Sequence, residues 1–361
     1  MQRDGADGLS IRSELADCKR QKSKARFVVG ILGQAARVAP QLQRALGGDW
    51  EIITASLQEA MAGKINDVVA LVTPPVNAVN GLLGNLPKLR LLQTMSAGIE
   101  FLDMEACPSS LTVCRTSTMD HAIAEYVFAS MLHWQIGLAE ANEVFKQQRS
   151  FVPPFRFVGC KIGPAPFHAE LGGKVLGIVG YGDIGTQIAR RAAAFNMRIV
   201  GITHRPRNAV PEGLDWCGTA SDLPRLMNES HFVVVCCALT RESRGLINET
   251  ILGHMRPDAV LIHVARGPVV DEHALYKALS EKRIRGAVLD VWWKYPTQDE
   301  PEVLPSVHPF HTLENVVMTP HSSGWTSEQE ERKVEQLSYN IGQLASLKPA
   351  FKFVQKAASD Q

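Results

Sequence analysis

The chain has 361 residues, enough for about two domains of ordinary size, and its 38 Lys and Arg nearly balance its 37 Asp and Glu. A hydrophobic fraction of 45% and a charged fraction of 21% exclude a largely disordered chain, and the net charge of +1 argues against a dedicated nucleic-acid binder. The longest apolar runs, such as Phe232–Leu239, are far shorter than the ~20 residues of a spanning helix.

The cysteine content and the N-terminus predict a cytoplasmic protein. Seven Cys without a Cys-x-x-Cys pair fit a reducing compartment, and no metal site is expected. The N-terminus lacks the apolar stretch of a signal peptide and is too acidic for a transit peptide. We interpret residues 1–25 as a flexible tail; its basic run, Lys19–Arg26, is an alternative candidate for a nuclear address or an anionic contact.

From Phe27 onward, short apolar runs alternate with helical stretches, which is typical of βαβ units around a parallel sheet. A first helix is predicted at Gln34–Leu46, and Asp120–Gln148 is predicted as one long helix with Asp120 as its N-cap, because apolar residues recur at three- and four-residue steps. The predicted strands of this first series are Phe27–Leu32, Glu51–Ile53, Asp67–Val72, Leu89–Thr94 and Leu111–Cys114.

A second alternating series follows a segment, Ser150–Glu170, that is rich in Pro and Phe and is interpreted as a linker or wrapping arm. The last predicted helix, Ser327–Leu347, could return to pack on the first series. The predicted strands of the second series are Lys174–Val179, Arg198–Ile202, Phe232–Cys236, Val260–His263, Gly286–Val291 and Val316–Thr319.

A glycine-rich loop after Lys174–Val179 carries the strongest local motif. It has the pattern Gly-x-Gly-x-x-Gly between a strand and a helix, where the glycines allow a tight turn, approach of a pyrophosphate and close helix packing. The N–H groups that open the helix can then bind phosphates. The predicted dinucleotide ligands are Gly180, Tyr181, Gly182, Asp183, Ile184 and Gly185.

The end of the next strand predicts the type of dinucleotide. An acid about 20 residues after the motif would bind the ribose 2′-hydroxyl of NAD, but here the sequence is Thr-His-Arg-Pro-Arg. Guanidinium groups bind a 2′-phosphate through charge-assisted hydrogen bonds. We therefore expect NADP(H) to be preferred and NAD(H) to be possible, with Arg205 as the first candidate ligand, then Arg207 and His204; the alternative is that these are merely exposed basic residues.

Five segments together resemble the D-2-hydroxyacid dehydrogenases, a family that includes glyoxylate/hydroxypyruvate reductases, phosphoglycerate dehydrogenase and formate dehydrogenase. They occur in the family's order, within a stretch from about Asp67 to Leu347. The segments are Ser96–Glu100, Gly177–Gly185, Val260–Gly267, Leu289–Val291 and Asn315–His321.

The resemblance implies a fold of two α/β lobes with the active site in the cleft between them. A Rossmann-type doubly wound parallel sheet would bind the nucleotide, and a flavodoxin-like lobe would bind the substrate. The nucleotide domain, residues 136–322, would be inserted into a substrate domain formed by residues 26–135 and 323–361. The resemblance further implies a homodimer and a small 2-keto or 2-hydroxy acid as substrate; no nucleic-acid or membrane partner is expected.

The resemblance also implies roles for individual residues. Arg266 matches the arginine that holds the substrate carboxylate and polarises its carbonyl. His321 matches the histidine that gives a proton on reduction and takes one on oxidation. Asp290 matches the residue that meets the nicotinamide carboxamide. The loop that offers backbone N–H groups to the substrate carboxylate would be formed by Ser96, Ala97 and Gly98.

One position departs from the family pattern. Five residues after Asp290 most members carry a Glu that pairs with the catalytic His, whereas this chain has Tyr295. Glu300 could supply the acid only through a five-residue insertion and therefore ranks second. A neutral hydroxyl can orient an imidazole but supplies little charge. We therefore expect Tyr295 at the catalytic position, and His321 protonated only at lower pH than in Glu-bearing relatives.

The leading prediction is an NADPH-dependent 2-keto acid reductase acting on glyoxylate, hydroxypyruvate or a bulkier acid. The alternative is a non-catalytic, dinucleotide-sensing interaction protein that resembles the C-terminal-binding corepressors. The missing Glu and the basic tail allow this alternative, whereas the intact Arg266 and His321 argue against it. Oxidation of formate or another small anion ranks third, because an Arg-rich adenosine site suits reductive use of NADPH.

Overall fold

The computed structural model describes residues 27–149, 168–297, 300–346 and 353–354. The described residues divide into two compact units, one within the ranges 1–118 and 330–361 and the other within 119–329. Each unit is built around a mainly parallel sheet with helices, which confirms the predicted α/β class. The predicted tail and residues 150–167 of the predicted linker lie outside the described residues.

The first unit contains a six-stranded sheet. Its strands are β1 (Phe27–Leu32), β2 (Trp50–Ala55), β3 (Ala70–Thr73), β4 (Leu91–Thr94), β5 (Thr112–Cys114) and β13 (Phe353–Val354). Its helices are α1 (Ala39–Leu46), α2 (Leu57–Met61), α3 (Asn80–Leu83) and most of α10 (Ser327–Ser346). The strand order β13-β5-β4-β3-β1-β2 contains the flavodoxin-like order 2-1-3-4-5, and only β13 is antiparallel to its neighbour.

Two apolar cores cover the two faces of this sheet. Successive residues of a strand point to opposite faces, so Leu71 lies in one core and Val72 in the other. Helix α10 contributes Leu337 and Ile341 to the second of these cores. The last helix therefore packs on the first series of strands, as the sequence suggested.

The second unit contains a seven-stranded parallel sheet. Its strands are β6 (Val175–Val179), β7 (Arg198–Ile202), β8 (Trp216–Gly218), β9 (Phe232–Val235), β10 (Val260–His263), β11 (Gly286–Leu289) and β12 (Val316–Met318). Its helices are α4 (Asp120–Ile136), α5 (Leu138–Gln148), α6 (Asp183–Ala194), α7 (Leu223–Glu229), α8 (Glu249–Leu252) and α9 (Glu272–Ser280).

The order of these strands is β12-β11-β10-β9-β6-β7-β8. The chain therefore builds outward from β6 in one direction and from β9 in the other, which is the doubly wound arrangement of a Rossmann sheet. In such sheets ligands bind beyond the carboxyl ends of the strands where the order reverses. The glycine loop follows β6 and thus lies at this switch point. The edge strand β8 was not predicted, because a three-residue strand carries too short an apolar pattern.

Two helix predictions are wrong in detail. The stretch predicted as one helix is two, because Gly137 adopts a left-handed conformation with φ 64° and its N–H donates to the carbonyl of His133. A glycine in this conformation ends a helix, although the apolar periodicity continues beyond it. Asp120 is the first helical residue rather than the N-cap; the N-cap is Met119, without a side-chain hydrogen bond.

Helix α4 groups with the second unit rather than with the first. Its apolar residues Ile123, Val127 and Met131 share a core with Leu176 and Ile178 of β6. The division of the chain consequently falls at 118/119 and 329/330, whereas the sequence placed it at 135/136 and 322/323. The two divisions differ because α4, which follows β5 of the first sheet, packs on the second sheet.

Candidate active site

Arg266 lies on a tight turn after β10. Two contacts of Gly267 fix the turn. This residue has no room for a side chain against the carbonyl of Trp292. Its own carbonyl oxygen lies 3.4 Å from the Nε2 atom of the fully buried His263. Burial lowers the pKa of His263 to about 4, so this imidazole is neutral near pH 7. The guanidinium Nη1 of Arg266 donates to the carbonyl of Ala265 at 2.8 Å.

His321 lies in the loop that follows β12, with a left-handed φ of 58°. This loop is held by the carboxylate of Asp290, which is completely buried at the end of β11. One oxygen accepts hydrogen bonds from the Thr319 hydroxyl at 2.6 Å and the Ser322 N–H at 2.9 Å, and the other accepts from the Ser323 N–H at 3.0 Å. Asp290, predicted as a carboxamide contact, therefore also fixes both sides of His321.

Tyr295, rather than Glu300, lies beside His321. The two rings are tilted by 51° with their centroids 5.5 Å apart. The phenol oxygen accepts a hydrogen bond from the backbone N–H of Trp292 at 3.0 Å, so the hydroxyl is bonded to the backbone and not to the imidazole. Glu300 instead forms an ion pair with Lys294 at 2.8 Å.

Charge and burial set the protonation of this cluster. Burial and the nearby guanidinium of Arg266 lower the pKa of His321, and the carboxylate of Asp290 opposes them only in part. Burial raises the pKa of Tyr295, so its phenol stays protonated. The second unit thus brings together Arg266, Asp290, Tyr295 and His321 into one partly buried cluster with a neutral imidazole near neutral pH.

The glycine loop has the shape that a pyrophosphate requires. Gly180 has a φ of 107°, and a Cβ there would lie 2.5 Å from the backbone N of Cys237, so no other residue fits. A Cβ on Gly182, in contrast, would meet nothing within 4 Å. This leaves open space at the first turn of α6, which begins at Asp183. A phosphate group fits that space and the N–H groups of the helix.

Arg207 contacts the glycine loop. Its Nη2 donates to the carbonyl of Tyr181 at 3.0 Å, and its guanidinium lies 5.6 Å from the centre of the Tyr181 ring. Arg207, Arg205 and His204 are all exposed, and within the described residues the Arg205 side chain makes no hydrogen bond. Arg207 thus lies beside the glycine loop, whereas the ranking of Arg205, Arg207 and His204 as ligands of a 2′-phosphate stays a prediction.

The Ser96–Gly98 loop belongs to the first unit, after β4. The hydroxyl of Ser96 donates to the carbonyl of Gly98 at 2.7 Å, and the Thr94 hydroxyl donates to the carbonyl of Ser96 at 2.8 Å. These bonds tighten the turn. Among the described residues, the N–H groups of Ala97 and Gly98 have no acceptor, which leaves them available for an anion.

Sequence reasoning missed the residues that hold this site in place. The hydroxyl of Thr319 joins Asp290 to Tyr126 of α4, whose hydroxyl lies 2.6 Å away. His263 supports the arginine turn from within the sheet. Ser and Thr in a loop carry no distinctive pattern, so their partners emerge only when neighbouring strands are aligned. His263 gave one weak signal, a His within the apolar run Val260–Val264.

The described residues contain neither a candidate metal site nor a membrane-spanning helix. No three or more His, Cys, Asp or Glu side chains there form a group that could hold a metal ion. Within the same part of the chain, every helix is too short or too polar to cross a bilayer.

Comparison with known proteins identifies the family. Residues 129–323 match the model of the NAD-binding domain of D-isomer specific 2-hydroxyacid dehydrogenases. Glyoxylate reductase from Pyrococcus furiosus is 35% identical over 81% of this chain and 84% of its own length, and glyoxylate reductase from Thermococcus gammatolerans is 32% identical over 79% and 82%.

A solved structure extends the similarity to the fold. The D-isomer specific 2-hydroxyacid dehydrogenase from Xanthobacter autotrophicus Py2, in complex with NADPH and MES, is 26% identical with a TM-score of 0.72, covering 92% of this chain and 99% of that one. The chain belongs to the D-isomer-specific 2-hydroxyacid dehydrogenase family.

Proposed function

We propose that this protein reduces a small 2-keto acid to the 2-hydroxy acid with NADPH. The observation that carries the proposal is the cluster of Arg266, His321 and Asp290. In it the Arg266 guanidinium lies close enough to the His321 imidazole to lower its pKa. The names of the relatives, both glyoxylate reductases, make glyoxylate the first substrate to test. We also propose a cytoplasmic homodimer, as the sequence predicted.

The residues divide the chemistry between them. The Arg266 guanidinium can hold the substrate carboxylate and stabilise the charge that develops on the carbonyl oxygen. His321 can deliver a proton to that oxygen, and Asp290 fixes the loop that aims it. The N–H groups of Ala97 and Gly98 suit the substrate carboxylate. The bound nicotinamide supplies the hydride.

The cofactor proposal predicts a change of preference in Arg207→Ala. The wild type is expected to have a higher kcat/KM with NADPH than with NADH, because Arg207 would pair with the 2′-phosphate. The variant should lose about tenfold or more with NADPH, which corresponds to one charge-assisted hydrogen bond, and should change little with NADH. Arg205→Ala is the matched control with a smaller effect. A wild-type preference for NADH would refute the assignment.

The competing interpretation is a dinucleotide-sensing protein without turnover. The test is NADPH oxidation with a panel of 2-keto acids, beside direct measurement of NADPH binding. Tight binding without turnover of any acid would favour the corepressor-like interpretation. If the wild type reduces at least one acid and a substitution of Arg266 abolishes this reduction, the result would favour the reductase.

A further inference from the structure

Among the described residues, no carboxylate forms an ion pair or a hydrogen bond with the imidazole of His321. The oxygens of Asp290 are occupied by Thr319, Ser322 and Ser323, and Glu300 is paired with Lys294. The uncharged ring of Tyr295 lies beside His321. Burial and the cationic Arg266 lower the pKa of His321 more than the carboxylate of Asp290 raises it. Together these features favour the neutral imidazole at neutral pH.

A neutral imidazole is a poor acid for the reduction of a carbonyl group. The oxygen that receives the electron pair becomes an alkoxide and must be protonated, so turnover needs the charged imidazole. The nitrogen of a protonated imine already carries its hydrogen. When hydride adds to the carbon, the C=N electron pair moves onto nitrogen and cancels its positive charge, so the enzyme need not supply a proton.

We propose that this site also reduces 2-imino acids, which form when 2-keto acids condense with amines, to N-substituted 2-amino acids. The inference rests on the proposed function, since it uses the same carboxylate contact at Arg266 and the same reduced nicotinamide as hydride donor. The lone pair of the neutral His321 can accept a hydrogen bond from the iminium N–H. Solvent then protonates the product amine, and the released cofactor is the oxidised dinucleotide.

The first test compares amines at about pH 8, where the neutral imidazole dominates. NADPH oxidation is followed with glyoxylate alone, with glyoxylate and excess methylamine, and with glyoxylate and the same concentration of trimethylamine, which cannot form an imine. We expect methylamine to raise the rate of NADPH oxidation about tenfold or more, because one pH unit above its pKa only about a tenth of the imidazole is protonated and able to support keto acid reduction. N-methylglycine should be detected by mass spectrometry.

The outcomes separate this inference from the proposed function. Reduction of glyoxylate alone, with equal rates in both amines and no N-methylglycine, overturns the inference and leaves the proposed function intact. Failure to oxidise NADPH with any panel acid, with or without methylamine, overturns both. Methylamine-dependent turnover with the N-methyl product supports the inference.

A charge change at position 295 tests the physical reason. Tyr295→Glu places a carboxylate beside His321 and should raise its pKa by about 1–3 units, which NMR titration of the imidazole measures without substrate. The ratio of imine to keto acid turnover should then fall about tenfold or more. Tyr295→Gln, which matches the shape of that Glu without its charge, separates the loss of the phenol from the gain of a carboxylate. Tyr339→Glu, on the exposed face of α10, should keep the wild-type ratio. An unchanged ratio in Tyr295→Glu, with the imidazole pKa raised, would overturn the proposal.

Discussion

Replacing Arg266 by Ala is expected to lower kcat/KM for the reduction of 2-keto acids by about 10³-fold, the upper range for loss of one preorganised donor to a developing oxyanion. The loss should appear in both kcat and KM, because the guanidinium both polarises the carbonyl and holds the carboxylate. Steady-state kinetics with glyoxylate and NADPH measure it. Arg266→Lys should recover only part of the rate, since an ammonium cannot form two parallel hydrogen bonds.

The Arg266→Ala result depends on an intact nucleotide site. The Kd for NADPH, measured by fluorescence in the absence of substrate, should change by less than about threefold. The glycine loop follows β6 and the arginine turn follows β10, so the substitution leaves the glycine loop intact. A packing defect at Gly267 would instead lower the melting temperature. A variant that binds NADPH normally and retains kcat/KM within about threefold of wild type would contradict the role of Arg266.

His321→Asn is expected to lower kcat by about 10²–10⁴-fold, the usual contribution of a general acid or base. Asn suits this position because it tolerates the left-handed backbone with φ 58° better than most residues. The hydrogen bonds from Ser322 and Ser323 to Asp290 come from the backbone and survive the change. The effect therefore measures the imidazole and not a collapsed loop, and an unchanged melting temperature is the control.

The pH profile gives a second signature of His321. Reduction needs the protonated imidazole, and the pKa of His321 is lowered from its ordinary value near 6.5 by burial and Arg266. Keto acid reduction should therefore decline as pH rises through a pKa below 6.5, and oxidation should gain over the same range. His321→Asn should lose that limb; its persistence in the variant would show that another group titrates.

Much of the fold was predictable because each central strand is a short apolar run with polar or glycine boundaries. The bounds of β1, β7 and β10 agree with their predictions, since parallel strands buried on both faces read as continuous apolar segments. The break at Gly137 was not predictable from periodicity, because the apolar pattern continues through it. The packing of α4 on the second sheet was likewise not predictable, since sequence order does not determine on which sheet a helix packs.

The candidate site was only partly predictable. Arg266 and His321 were picked out by local motifs, which are defined by residues close together in the sequence. The hydrogen bonds of Asp290 to the 319–323 loop connect the ends of adjacent strands β11 and β12. The local sequence does not predict these bonds. The contact of Arg207 with Tyr181 likewise joins the ends of β6 and β7 across the sheet.

The most direct test of the proposed reductase is NADPH consumption by the purified chain with glyoxylate, hydroxypyruvate and phenylpyruvate, each beside NADH. We expect turnover of at least one of these acids, faster with NADPH, and loss of that turnover in both Arg266→Ala and His321→Asn. A chain that binds NADPH tightly, yet leaves every acid unreduced at acidic and neutral pH, would show that guanidinium and imidazole do not act on a common substrate.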